Sequence, residues 1–193
     1  MRPDLAILAL WTGWLLSWIL AASWSNRTEA HPPIGEMLRY RAPMLIGTLL
    51  MFVPAIDDEG ALRIWRLAWC ATWACVACVA VGIAIAWWAR LYLGPLWSSR
   101  ITRKADHRVV DTGPYRLVRH PIYFGLLLSL FATAVAKGTL FSCAGFALLL
   151  LGIWTKARQE ERWLSRELGA NLYAEYCRRV PMLLPFGPKA RIP

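Results

Sequence analysis

A chain of 193 residues with 58% hydrophobic residues has the composition of a membrane protein, which excludes an ordinary soluble domain. Its 22 Lys and Arg outnumber its 12 Asp and Glu, and most of the basic residues lie in two blocks, 90–119 and 156–191, beside long apolar runs. Charge in these places is first a topology signal, so we expect one integral membrane domain, residues 1–193, and no nucleic-acid partner.

The first apolar run, residues 5–24, provides about 20 positions, enough to cross a hydrocarbon core of roughly 30 Å as a helix. A cleaved signal peptide is the alternative, because Arg2 precedes the run and small residues lie at positions 21–23. The length of the run and its tryptophans favour a transmembrane helix.

Two more apolar runs precede residue 90. Residues 25–42 are expected to form a polar connection, because Pro32 and Pro33 break a helix. Residues 43–56 predict a short second span. Residues 64–89 form the longest apolar run, with tryptophans toward both ends, and predict the third span.

After the polar loop 90–119, two apolar runs of only about 15 to 16 residues, 122–136 and 139–154, predict a tight helical hairpin. From Lys156 the sequence becomes amphipathic and charged, which predicts a helix that ends at Gly169. A second short helix is expected over residues 173–179. The fold class is therefore all-α, a polytopic membrane protein with about five transmembrane helices.

Charge predicts the topology of these five spans. The loops 25–42 and 90–119 and the C-terminal tail fall on one side, whereas the acidic turn 57–60 and Lys137 fall on the other. The positive-inside rule places the basic loop and the C-terminus in the cytoplasm and the N-terminus outside. A reporter fused after Pro193 is expected to be cytoplasmic, and a periplasmic or extracellular signal would contradict this orientation.

Five cysteines show no disulfide or zinc spacing. Four of them sit inside apolar segments, and Cys177 lies in the tail without a CxxC partner. No His or carboxylate accompanies the apolar group, so we predict small packing residues and no metal site.

Two short motifs in the basic loop carry the first chemical signal. Residues 113–115, Gly-Pro-Tyr, mark a turn, and Pro121 suits the first position of a helix, because its missing N–H would be unpaired there. A helix that begins near His120 would present free N–H groups to an anionic ligand. The alternative is that Arg119 and His120 are an interfacial anchor and a helix cap.

The tail brings further charged residues to the same side. Lys156 and Glu160 are four residues apart and share a helix face, which by itself is typical of a surface ion pair. The functional interpretation is a polar wall that closes a pocket. Its aromatic lining would come from Tyr92, Trp97, Tyr115 and Tyr123.

Three segments, LGPLWS at 93–98, HRVVDTGPYRLVRHPIYFG at 107–125 and EERWLSRELGANLYAEYCRRVPMLLPF at 160–186, together resemble the isoprenylcysteine carboxyl methyltransferase family. Their order and spacing match over residues 87–186, about half of the chain. The central motif is also similar to that of membrane sterol reductases. The three spans predicted from the apolar runs occupy residues 1–89. The resemblance implies a catalytic region in 90–186, whose loop and C-terminal helices form the pocket of S-adenosylmethionine.

The resemblance also implies roles for particular residues. Lys156 falls where the family tends to have a substrate-contacting arginine. Lysine keeps the positive charge but cannot make the bidentate hydrogen bonds of a guanidinium to a carboxylate. Arg158 is expected to compensate, so both residues are candidates for positioning a substrate carboxylate. The implied cofactor-binding residues are His107, Arg108, Val109, Val110, Tyr115, His120, Pro121, Ile122, Tyr123 and Glu160.

By this resemblance the expected function is methyl transfer to a lipophilic substrate in the bilayer, with a carboxylate nucleophile as in prenylcysteine methylation. The lipid bilayer and a lipophilic or prenylated substrate are the expected partners. Two alternatives stay open: an NADPH-dependent reductase of the sterol-reductase type and a non-catalytic membrane subunit.

Overall fold

The computed structural model describes residues 2–21, 34–53, 62–94, 110–167 and 170–189. In these ranges the protein is helical, as predicted, with one isolated bridge between Arg63 and Thr139. The helices are α1 (Pro3–Ala21), α2 (Ile34–Phe52), α3 (Trp69–Leu93), α4 (Pro121–Lys137), α5 (Leu140–Glu167) and α6 (Ala170–Arg179), and a 3-10 turn occupies Gly113–Arg116.

Among the described residues, three helices are long and apolar enough to cross a membrane: α1, α3 and α5. Helix α4 is apolar but has only 17 residues, and α2 carries Glu36, Arg39 and Arg41 in its first turns. The protein is therefore a helical membrane protein, while the count of five crossings stays a prediction.

Helix α2 begins earlier than the sequence predicted. It starts at Ile34 and runs through Pro43, so the expectation of a polar connection up to residue 42 was wrong. The charged side chains of this part are exposed while Tyr40 is buried, because α2 packs one face against α5. That packing maintains a helix that the proline would otherwise interrupt.

Helix α5 corrects the predicted short hairpin. The apolar run 139–154 and the charged segment after Lys156 form one helix of 28 residues, about 42 Å long. Gly138 ends α4 in the left-handed conformation, at φ 63°, and its amide donates to the carbonyl of Ala134. After this turn α5 packs chiefly along α2, whereas α4 packs chiefly along α3.

Small residues allow these two helix pairs to approach closely. A Cβ at Gly125 would collide with the carbonyl oxygen of Gly82, and one at Gly145 would lie 2.8 Å from the carbonyl oxygen of Gly47. The Ser129 hydroxyl also donates to the carbonyl of Val79 on α3, at 2.9 Å. The α3–α4 and α2–α5 pairs form the apolar core together with Ala6, Ile7 and Trp11 of α1.

Contacts at the helix termini show which helix ends lie together at each end of the bundle. The Arg63 guanidinium donates to the carbonyl of Lys137, next to the bridge from residue 63 to residue 139. At the opposite end, the Arg90 guanidinium donates to the carbonyl of Ala21, and the Gln159 amide donates to the carbonyl of Glu36. At this end the last residue of α1 therefore contacts α3, and the later part of α5 contacts the start of α2. The membrane topology stays a prediction.

Candidate functional site

The start of α4 lies where the sequence placed it. His120 is the residue before the helix, Pro121 is its first residue, and the His120 side chain makes no capping hydrogen bond. The next amides of the first turn therefore have no acceptor within the helix, as at any helix N-terminus. His120 therefore occupies the N-cap position with its backbone, but its side chain does not cap the helix.

The His120 ring is directed at the end of α5. Its Nδ1 lies 3.6 Å from Glu160 Oε2, and its Nε2 lies 3.4 Å from Glu161 Oε1. The ring also stacks on Tyr123, with 5.4 Å between centroids and 11° between planes. The Tyr123 hydroxyl donates to Glu160 Oε1 at 2.6 Å. Three residues that were predicted together, His120, Tyr123 and Glu160, are in contact.

Lys156 joins this group, but Arg158 does not. Lys156 Nζ lies 3.8 Å from Glu160 Oε1 and 5.4 Å from the centroid of the Tyr123 ring. Arg158 is exposed, and its guanidinium lies 5.2 Å from the Trp154 ring centroid. Positions 158 and 160 lie on different faces of the helix, so Arg158 lies apart from the group of Lys156 and Glu160, and its role in positioning a substrate stays a prediction.

Arg119 has a role that the sequence did not reveal. It is 7% exposed, and its guanidinium donates to both carboxylate oxygens of Glu161, at 2.5 and 2.9 Å. It also donates to the carbonyls of Cys177 and Val180, at the end of α6. Burial alone would lower the pKa of this guanidinium, but the hydrogen bonds and charge of Glu161 raise it above its ordinary value.

The backbone reinforces this contact. The amides of Arg119 and His120 donate to the carbonyls of Pro181 and Met182, at 2.9 and 3.1 Å. The chain after α6 therefore lies against the residues that begin α4. The pair of neighbouring acidic residues at 160 and 161 was the available signal: Glu160 serves the candidate site, and Glu161 binds the arginine that holds the tail.

Tyr115 is buried beside this group, and its polar atoms bond to α3 and α6. Its hydroxyl donates to the carbonyl of Ala89 at 3.3 Å, and its carbonyl accepts from the Tyr176 hydroxyl at 2.7 Å. Burial raises the pKa of the Tyr115 phenol well above its ordinary value, so it stays a neutral donor. The structure thus places Tyr115 where the segment before α4 meets α3 and α6.

The remaining predicted residues divide into two sets. Pro121 is buried, and Ile122 and Val110 are half-buried. His107, Arg108 and Val109 lie outside the residues that the structure describes. One further residue was missed as a candidate: Tyr40 on α2, whose ring centroid lies 5.9 Å from Lys156 Nζ.

The region that contains the candidate site is similar in sequence to known proteins. The sequence model of the isoprenylcysteine carboxyl methyltransferase (ICMT) family matches residues 75–166. A probable protein-S-isoprenylcysteine O-methyltransferase of Oryza sativa subsp. indica is 33% identical over 87 residues, 45% of this chain and 46% of the relative. Methanethiol S-methyltransferase 2 of Bradyrhizobium diazoefficiens is 45% identical over 73 residues, 37% of this chain and 26% of the relative.

A third relative has a different kind of name. The cobalt-zinc-cadmium resistance protein CzcN of Cupriavidus metallidurans is 32% identical over 95 residues, 48% of this chain and 43% of the relative. This chain therefore spans less than half the length of the curated relatives described here. Residues 75–166 of this chain are thus similar to the isoprenylcysteine carboxyl methyltransferase family.

Proposed function

We propose that this protein transfers a methyl group from S-adenosylmethionine to a lipophilic acceptor in the membrane. The observation that carries the proposal is the group formed by His120, Tyr123, Lys156 and Glu160 at the junction of α4 and α5. It lies inside the region that matches the methyltransferase family. The Glu160 and Lys156 side chains are only 17% and 14% exposed.

The residues present fit the cofactor chemically. The Glu160 carboxylate can accept hydrogen bonds from ribose hydroxyls or an ammonium group, and the first free amides of α4 can receive a carboxylate. The stacked rings of His120 and Tyr123 offer aromatic faces to the adenine or to a cation. We assign the other predicted contacts to the same site: His107, Arg108, Val109, Val110, Tyr115, Pro121 and Ile122.

When bound, S-adenosylmethionine supplies a methyl group on a sulfonium; its bond to sulfur breaks as the bond to the nucleophile forms. An in-line displacement of this kind needs alignment and exclusion of water more than a general base, provided that the nucleophile is already an anion. The start of α4 and the Glu160 carboxylate orient the donor. The Lys156 ammonium favours negative charge on the acceptor.

The names of the relatives suggest two acceptor types, the carboxylate of an isoprenylcysteine and the thiol of methanethiol. A carboxylate is already an anionic nucleophile at neutral pH, whereas a thiol first has to lose its proton to solvent and then reacts as the thiolate. The bilayer would deliver a lipophilic acceptor from the side, while the charged end of the bundle faces the cytoplasm in the predicted topology.

Ligand binding and turnover test the function. Calorimetric titration of the purified protein in detergent is expected to show binding of S-adenosylhomocysteine, with a Kd on the order of micromolar, and no binding of NADPH. With radiolabelled S-adenosylmethionine as the methyl donor, the protein should then methylate N-acetyl-S-farnesylcysteine or methanethiol. Binding of NADPH alone would favour the reductase, and binding of neither nucleotide would favour a non-catalytic subunit.

A further inference from the structure

Tyr40 reaches the candidate site from a helix outside the family match. Tyr40 is 3% exposed. It belongs to α2, which ends before residue 75, where the family match begins. Gly152 on α5 allows a close approach, because a Cβ there would lie 2.9 Å from the carbonyl oxygen of Tyr40. The hydrogen bond from Gln159 to the carbonyl of Glu36, at 3.1 Å, fixes the same part of α2 against α5.

Tyr40 and Tyr123 face the same ammonium group. Lys156 Nζ lies 5.9 Å from the ring centroid of Tyr40 and 5.4 Å from that of Tyr123, both within the range of cation–π attraction. Glu160 Oε1 lies 3.8 Å from the same nitrogen. The charge of Lys156 is therefore surrounded by two aromatic rings and one carboxylate, contributed by α2, α4 and α5.

The two rings restrict where the Lys156 ammonium can lie. A lysine side chain is flexible and carries about 2 kcal/mol of rotamer entropy, so an ammonium at the end of a free stem would be poorly placed. Rings on two helices restrict it without cancelling its charge. The charge therefore stays close to Glu160, next to the place assigned to the methyl donor.

We propose that Tyr40 is a specificity-determining positioning residue, which holds the Lys156 ammonium where it favours an anionic nucleophile, carboxylate or thiolate. The inference rests on the proposed function and extends it to the N-terminal helices. Tyr40 acts through Lys156 rather than by touching the reacting atoms. Loss of its ring should therefore weaken acceptor binding and leave the binding of S-adenosylhomocysteine unchanged.

The test compares Tyr40→Leu, which removes the ring, with Tyr40→Phe, which keeps it. With N-acetyl-S-farnesylcysteine and with methanethiol as acceptors, Tyr40→Leu is expected to raise KM about fivefold to tenfold, with kcat changed less than about twofold. Tyr40→Phe should stay close to the wild type. If Tyr40→Leu does not fold, Tyr40→Met fills similar space without a ring and replaces it.

Two controls separate this role from a structural one. Trp154→Leu removes an exposed cation–π contact to Arg158 on the same helix and should leave KM unchanged. In a Lys156→Gln background, Tyr40→Leu should add no further increase in KM, because the ammonium that it positions is gone. An effect of equal size in both backgrounds would overturn the proposal.

Other outcomes are equally decisive. An unchanged KM in Tyr40→Leu, or a parallel loss of affinity for S-adenosylhomocysteine, would contradict a positioning role. Wild-type protein that binds S-adenosylhomocysteine but methylates neither acceptor would overturn the assignment of an anionic nucleophile. Wild-type protein that does not bind S-adenosylhomocysteine would instead refute the proposed function itself.

Discussion

Glu160→Gln is expected to lower the affinity for S-adenosylhomocysteine by about tenfold to a hundredfold. Glutamine keeps the size of the side chain but removes the charge, and a hydrogen bond to a charged group contributes about 1.5–3 kcal/mol. The same carboxylate accepts from Tyr123 and lies near Lys156, so its charge orients both neighbours. Calorimetric titration measures the change.

The matched control for this variant is Glu175→Gln, which removes an exposed carboxylate from α6. It should bind S-adenosylhomocysteine as the wild type does. Methyl transfer by Glu160→Gln should fall together with the affinity when the cofactor concentration is low. Unchanged affinity in Glu160→Gln would remove this residue from the cofactor site.

Arg119→Leu is expected to destabilise the protein by about 3–5 kcal/mol, because it leaves the half-buried Glu161 carboxylate without the guanidinium that binds both of its oxygens. The change also removes the donor that holds the carbonyls of Cys177 and Val180. The chain after α6 should then detach from the start of α4. A lowered thermal unfolding midpoint and faster chymotrypsin cleavage in the tail would report this release.

A second arginine of the same region serves as the control. Arg179 forms an exposed ion pair with Asp111 at 3.0 Å, so Arg179→Leu should cost less than about 1 kcal/mol. The double variant Arg119→Leu/Glu161→Leu should recover part of the stability, since no unpaired buried charge remains. Equal effects of Arg119→Leu and Arg179→Leu would contradict the role of Arg119 in holding the tail.

The sequence predicted the parts of the site that depend on local rules. Pro121 can occupy only the first turn of a helix without losing a hydrogen bond, and this was enough to place the start of α4. The i,i+4 spacing of Lys156 and Glu160 likewise predicted that they share a face. Both features follow from the geometry of a single helix.

The features that the sequence did not predict depend on contacts between distant segments. The acceptors of Arg119 lie 42 to 61 residues further along the chain, so its role depends on where α5 and α6 pack. Helix α2 extends across Pro43 because α5 covers its buried face, which local propensity does not encode. Tyr40 was overlooked for the same reason, since it belongs to a helix outside the conspicuous motifs.

An experimental structure with bound S-adenosylhomocysteine tests the central claim most directly. The proposal predicts density for the ligand between the start of α4 and the end of α5, in contact with His120, Tyr123 and Glu160. Lys156 and Tyr40 should lie on the acceptor side of that density. Ligand density elsewhere in the protein, with the contacts of Glu160 to His120, Tyr123 and Lys156 unchanged, would contradict it.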